Sequence, residues 1–348
     1  MTWTKGAAVA AMGVVVGLAV LPGDSQGARF QHPPDESSGG MPFGTSPSVQ
    51  ALAVSKDHIL YAGSFGSGIF RSDNRGESWT PINEGLADLF VHSLVIADDG
   101  AIYAGTARGG VFESRDAGQS WRAMSSGLKR LEVKALLIAH GVLYAGTGDG
   151  VYRYNQAHGR WDVVTKGLDE ILVNALAMGS HRTLFAGTSG KGIMRYSSGT
   201  EGWTRMRSGL IDHEGLIENY IRVIAVDRSH NIYIGTFDGG VFRSEDAGQT
   251  WRQMSKALPN DSIRGIVAID NALVVATGRG IYRTEDGGRQ WKPLNNGLTE
   301  LSIQALISSG EGGFYAGTNN GAFRSQDNGQ TWVAIREGMG APTERSSK

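Results

Sequence analysis

No cysteine occurs anywhere in the 348 residues. Disulfides, thiolate metal sites, cysteine nucleophiles and a lipidated N-terminal Cys are therefore excluded. Proline is scarce, at 9 residues, and no Gly-X-Y period accompanies the 51 glycines. A collagen-like chain is ruled out, and many tight turns account for glycine at about twice its usual share. No charge of either sign dominates: the formal net charge is −1 and there is no long basic run. Nucleic-acid binding through a broad cationic face is not expected. The eight histidines are scattered without metal-ligand spacing, so no metal centre is expected. Neither Gly-x-Gly-x-x-Gly nor the Gly-Lys-Ser/Thr ending of a phosphate loop is present. The glycine-rich loops join strand to strand rather than strand to helix, so no nucleotide cofactor, or any other, is expected.

What is present begins with a leader. Lys5 precedes an apolar stretch of 15 residues, Ala7 to Leu21, and Ser25-Gln26-Gly27 offers small residues for a peptidase. A spanning helix needs about 20 apolar residues, so residues 1–27 read as a cleaved signal peptide. The mature chain is expected in the periplasm or outside the cell, without stable membrane insertion. Residues 28–47 read as a disordered linker and 340–348 as a disordered tail. The folded part is expected over 48–339. Forty per cent hydrophobic residues suffice for a core.

The chain repeats at a period near 40. Trp79, Trp121, Trp161, Trp203, Trp251, Trp291 and Trp332 mark seven units at spacings of 42, 40, 42, 48, 40 and 41. Each unit holds four short apolar runs separated by Gly or Asp-Gly, as in IRVIAVD, NIYIGT, GGVFRS and TWRQM of the fifth. Four antiparallel strands per unit, seven times over, predict an all-β, seven-bladed propeller. Ala-Gly-Thr recurs in the second run, where converging sheets demand small side chains. Trp, Phe and Tyr fall in the third and fourth, where the blades splay apart.

Between those two runs lies SEDAGQTW at 244–251, with close copies at 114–121 and 325–332. An Asp here can accept hydrogen bonds from backbone N–H groups two residues on, and the Gly two positions later tolerates positive φ. Asp116, Asp246, Asp286 and Asp327 hold the position, Asn74 replaces them in the first unit, and the third and fourth units lack it. An Asx-turn tolerates that variation and a catalytic acid does not, so the repeated Asp reads as structural. The recurring arginine of the third run (Arg71, Arg153, Arg195, Arg243, Arg283, Arg324) reads as architectural too, pairing near this turn.

Ser-x-Asp-x-Gly-x-Thr-Trp resembles the Asp-box, or bacterial neuraminidase repeat, of sialidases, xyloglucanases, sortilin-type receptors and the propeller that assists photosystem II assembly. The resemblance covers essentially the whole mature chain and implies the propeller fold, with Asp-box turns between the third and fourth strands. The Arg-Ile-Pro of sialidases is absent, as are the second propeller of xyloglucanases and the cysteine-rich module of sortilin-type receptors. Length, seven units and a leader look most like the photosystem II assembly-factor type and its relatives in non-photosynthetic bacteria. The resemblance implies a binding or assembly role and names no ligand.

Two features single themselves out as sites. Five of the six unit-to-unit connections have four residues, whereas the one after Leu210 has ten, IDHEGLIENY. It places His213, Glu214, Glu218 and Tyr220 above the channel mouth. Immediately after the Val or Ile that opens each first strand come Gln50, His92, Lys134, Asn174, Arg222, Arg264 and Gln304. All seven are polar on an otherwise apolar strand, with three fixed cations and no acid, and are expected to meet water in the upper channel. The sequence thus reads as a secreted, monomeric, non-catalytic propeller that binds a protein, or an anionic glycan, at this mouth. The alternative is a glycoside hydrolase. It needs two carboxyl groups at a set separation, for which Asp149, Asp238, Glu214 and Glu218 are the candidates.

Overall fold

The computed structural model describes residues 46–164, 167–197, 202–210, 220–259, 262–269, 271–310 and 312–340. The leader, the linker to residue 45, residues 211–219 of the insertion and the tail from 341 lie outside them. Seven four-stranded antiparallel sheets form, and in each the strand order follows the chain. The inner strands are Val49–Val54, Val91–Ile96, Val133–Ala139, Val173–Met178, Ile221–Val226, Ile263–Ile269 and Ile303–Gly310. Among the described residues the single helical element is a 3-10 turn at Ser180–Arg182. The chain is an all-β, seven-bladed propeller, as its repeats predict.

Inner strands are flanked by sheets on both faces, so they read as nearly continuous apolar runs rather than alternating ones. The hydrophobic core is accordingly divided into seven clusters, one at each blade-to-blade interface. Convergence toward the axis sets the small residues of the second strand. A Cβ added to Gly63, Gly146 or Gly187 would come within 2.6–2.7 Å of the Val or Ile that opens the next blade. Across each inner pair one partner is glycine: Ala51 faces Gly63, and Ala305 faces Gly317. In the sixth blade the pair is inverted, Gly265 facing Ala276. The single methyl has moved between strands and the pair keeps its volume.

The tryptophans fasten neighbouring blades. Trp121 donates its indole N–H to Ile82 O at 2.7 Å, Trp161 to Met124 O at 2.6 Å and Trp332 to Leu294 O at 2.8 Å, each in the preceding blade. Trp79 makes the same bond to Ile335 O at 3.1 Å and so joins the first blade to the seventh. At that seam Gly321 N also donates to Pro47 O at 2.9 Å. Ser46–Ser48 is not a strand, and the seventh blade draws all four strands from its own repeat. Closure needs no clasp because the seam repeats the contacts of the other interfaces.

The repeated Asp sits in a closed local network. Asp246 Oδ1 accepts from Thr250 N at 2.8 Å and from Ser244 Oγ at 2.8 Å, while Oδ2 accepts from Thr250 Oγ1 at 2.6 Å. Ser244 Oγ in turn accepts from Gly248 N. The carboxylate is therefore bonded from four residues on, not two, because Ala247 and Gly248 both take positive φ, 57° and 83°, and wind the turn tighter. Asn74 reproduces the arrangement, with its amide nitrogen donating to Ser78 Oγ at 2.9 Å. The hydroxyl of Ser120, followed by its N–H and the Ser114 hydroxyl, pushes Asp116 down to about 2. The third-strand arginines serve the same corner: Arg71, Arg195 and Arg324 donate to the carbonyls of Ala117, Ala247 and Arg75 in the next blade's turn. Replacing Asp246 with Ala is expected to lower stability by about 1 kcal/mol, the worth of bonds to a partly exposed acceptor. Asp246→Asn should cost less. Equal melting temperatures for wild type and the Ala variant would refute a structural role.

Candidate functional site

Two sets of loops share the channel-mouth face: those joining second to third strands, and those joining one blade to the next. The first set is closed by the Ser or Thr that ends each second strand. Thr106 Oγ1 donates to Gly110 O at 3.1 Å and accepts from Gly109 N at 3.0 Å, and residues 64, 147, 188, 236, 277 and 318 bond in the same way. Sequence reading saw only small residues in Ala-Gly-Thr. The hydroxyl's task was signalled by its invariable place before a glycine-rich loop.

All seven ring positions come together, and one backbone device places them. The register of every inner strand slips at this residue: Val49 faces Ser64 but Ala51 faces Gly63, so Gln50 is supernumerary. The same slip occurs at His92, Lys134, Asn174, Arg222, Arg264 and Gln304. Each is the extra residue of a β-bulge, a feature that turns a side chain out of the pleat. The expectation that these side chains meet water is corrected. Six of them are only 2–7% exposed, and Arg264 is partly exposed. Seven bulges converging on one axis leave little room for solvent, and the side chains lean on neighbouring blades instead.

The resulting plug has two unlike halves. Lys134 Nζ lies 3.2 Å from Glu132 Oε1 and 3.1 Å from His92 Nε2. An ammonium can only donate, so His92 is the Nδ1–H tautomer, and that buried Nδ1 has no protein partner. Burial, then the Lys134 charge, holds His92 down to about 3, so it is neutral at physiological pH. Burial also lowers Lys134 against the pull of Glu132. Across the channel Arg264 Nη1 donates to Ser302 Oγ at 3.0 Å and Ile303 O at 3.4 Å. Asn319 donates to the same Ser302 hydroxyl at 3.1 Å and accepts from Gln304 Nε2 at 2.7 Å. Ser48 extends this network to Gln50. Arg264 has no carboxylate partner among the described residues, and burial lowers its pKa. Arg222 stacks on the Phe237 ring at 4.2 Å and is held down to about 10 by burial and then by Arg264. Buried acceptors of Asn174 and Gln304, Oδ1 and Oε1, also lack protein partners.

Of the insertion residues, His213, Glu214 and Glu218 lie outside the described residues. Tyr220 is exposed at the mouth, bridging to Ser189. Among the other nominated carboxylates, Asp149 is engaged at both oxygens: Oδ1 accepts from Glu170 N at 3.0 Å and Oδ2 from Tyr152 Oη at 3.0 Å. Although burial opposes it, these bonds and Lys129 keep Asp149 below the usual carboxylate range. Asp238 lies near enough to Arg222 to favour its charge. No cluster of His, Asp or Glu suited to a metal occurs among the described residues, and no helix among them is long and apolar enough to cross a membrane.

Comparison with known proteins fixes the family. The DUF6242 β-propeller domain matches residues 37–265, about two-thirds of the chain, which therefore belongs to that family. No curated protein sequence matches it. Solved structures give the fold. The extracellular domain of a putative hybrid two-component system from B. thetaiotaomicron superposes at a TM-score of 0.65 with 16% identity, over 81% of this chain and 40% of that one. The GH74 enzyme of Niastella koreensis gives 0.64 and 14%, over 85% and 55%. YCF48 bound to D1 peptide gives 0.63 and 12%, over 92% and 98%. The chain thus spans about half the length of the first two.

Proposed function

We propose that this DUF6242 propeller is a secreted, non-catalytic binding module that offers its channel-mouth face to an anionic protein or glycan. The observation that carries the reading is the cation excess of the plug. Lys134, Arg222 and Arg264 occupy bulges that take Gln, Asn or His in the other blades, so the fold does not demand a cation there. Burying charge costs several kcal/mol per ion before compensation. An arrangement costly to folding and unnecessary to architecture points to a ligand. Together the cations focus positive potential at a narrow mouth.

The resemblance to Asp-box proteins of the assembly-factor type agrees with this reading, and the structural neighbour YCF48 is a propeller bound to a peptide. Secretion rests on the leader read in residues 1–27. A glycosidase is the weaker reading, because both Asp149 oxygens are held in hydrogen bonds that keep the carboxyl ionised, against the raised pKa a general acid needs. The likeness to GH74 extends to the fold alone. Chromogenic glycosides should go uncleaved.

The test is to replace all three cations with Gln, the residue already accommodated at positions 50 and 304. Poly-L-glutamate and heparin are titrated against both proteins at low and physiological salt. Wild-type binding should weaken steeply with salt; the variant should bind at least tenfold more weakly, with a flatter dependence. Its melting temperature should not fall. Equal affinity and equal salt dependence would reduce the ring to an internal polar packing layer.

A further inference from the structure

A second feature of the same face owes nothing to the ring. Of the eight large hydrophobic side chains exposed among the described residues, six lie in channel-mouth loops and two, Val163 and Val333, in outer strands. Scattered apolar residues need no explanation, but contiguous ones do. Those of the first three blades lie in neighbouring loops. Phe65 packs edge-on against Phe90 with ring centroids 4.8 Å apart. The Arg108 guanidinium covers Phe90 at 4.8 Å. Leu89 precedes Phe90, and Leu131 abuts Gly110 of the Arg108 loop, where an added Cβ would meet it at 3.2 Å.

The backbone beneath these side chains is fixed by hydrogen bonds. Gly66 N and Gly68 N both donate to Leu89 O, at 3.1 and 3.0 Å, and Gly110 N donates to Leu131 O at 3.0 Å. Leu89 and Leu131 are 37% and 42% exposed beside Phe65 at 48%. The buried Asp88 carboxylate accepts from Phe90 N, Arg108 N and Gly109 N at 3.1, 2.6 and 2.9 Å, which fixes the loop carrying Arg108. The patch is built rigid before anything binds. Its available charge is positive: Arg108 is exposed and has no ion pair among the described residues, whereas Arg130 at the far edge shares a pocket with Lys129, Asp149, Asp169 and Glu170. Its acids are engaged, Asp88 by backbone and Glu132 by Lys134.

We propose that the Phe65–Phe90–Arg108–Leu131 rim of blades one to three is a protein-docking surface for an acidic segment carrying aromatic or aliphatic side chains. Aromatic rings and arginine in a preorganised cluster are the composition of interface hot spots. The partner's apolar groups cover Phe65, Leu89 and Leu131, and its carboxylates face Arg108. A bilayer is the poorer match. The loops are short and clamped, and the rings pack on one another rather than project. The proposal rests on the reading of this chain as a binding propeller but not on the ring.

The test is selection of binders to the mature protein from a displayed library of random twelve-residue peptides. Enriched sequences should be acidic and carry Phe, Leu or Trp. Their affinity should drop at least tenfold in Phe65→Ser and in Leu131→Ser, and further in Arg108→Glu. Poly-L-glutamate, which has no apolar groups to seat, should bind Phe65→Ser and Leu131→Ser as tightly as wild type, which separates failure of this surface from failure of the ring. The substituted side chains are exposed, and unchanged melting temperatures confirm intact folds. Enrichment of neutral or basic peptides, or binding indifferent to these substitutions, overturns the proposal. So does binding to phosphatidylglycerol vesicles that the same substitutions abolish while the peptides bind wild type and variants alike.

Discussion

A chain lacking residues 49–86 should lose the cooperative thermal transition of the full protein. Those residues form the first blade, which contributes to two of the seven interfacial clusters. Their removal bares Ile335, Tyr315 and Met339 on the seventh blade and Leu94, Ile102 and Trp121 on the second, all buried in the intact ring. Each such side chain contributes about 1.5–3 kcal/mol when buried. Two uncovered faces together approach or exceed the roughly 5–15 kcal/mol by which a domain is stable. The seam bonds from Trp79 to Ile335 and from Gly321 to Pro47 lose their geometry at the same time. Calorimetry should show a broad transition at much lower temperature, with dye binding to exposed apolar surface. A transition equally sharp at the same temperature would contradict a closed ring whose cores lie between blades.

The repeat was legible because one physical demand recurs seven times: a tryptophan to fill the splayed edge, and glycine where inner strands converge. The Asp turn was legible for the same reason, although its bonds come from the fourth residue on. That distance depends on two consecutive positive-φ residues, a backbone fact that the letters Ala-Gly only permit. The ring's polarity was visible, and its burial was not. The bulge adds its one residue to every repeat alike, so the spacing between repeats is silent about it. Burial then arises from seven side chains meeting on an axis, a property of no single repeat. The exposed rim escaped notice for the opposite reason. Leu89, Leu131 and Leu301 look like the start of buried strands, yet each lies two residues before its inner strand and faces solvent.

His92 gives the plug a signature in pH. In the fold it protonates only near 3, held down by burial and then by Lys134, with Asp88 opposing. In the unfolded chain it protonates near its ordinary value of about 6.5. Between those values the unfolded state binds the extra proton, so acid favours unfolding. Stability should be full above about 6.5 and fall toward 3 by up to about 1.4 kcal/mol per pH unit. Below that the loss from this group is complete. Over the first two units the cost is about 2–3 kcal/mol, a large share of a typical domain's stability. The turn carboxylates Asp116 and Asp327, held to about 2, contribute in the other window. Their stabilisation persists above the ordinary Asp value of about 3.9 and is lost only as pH falls from there toward 2. The two causes therefore separate on the pH axis. Replacing His92 with Gln, a side chain the same bulge holds in two other blades, should abolish the upper window and leave the lower one. Denaturant titrations at pH 7, 6, 5 and 4.5 measure this directly. If His92→Gln loses stability between pH 6.5 and 4.5 as steeply as wild type, His92 is not the buried neutral imidazole that accepts from Lys134.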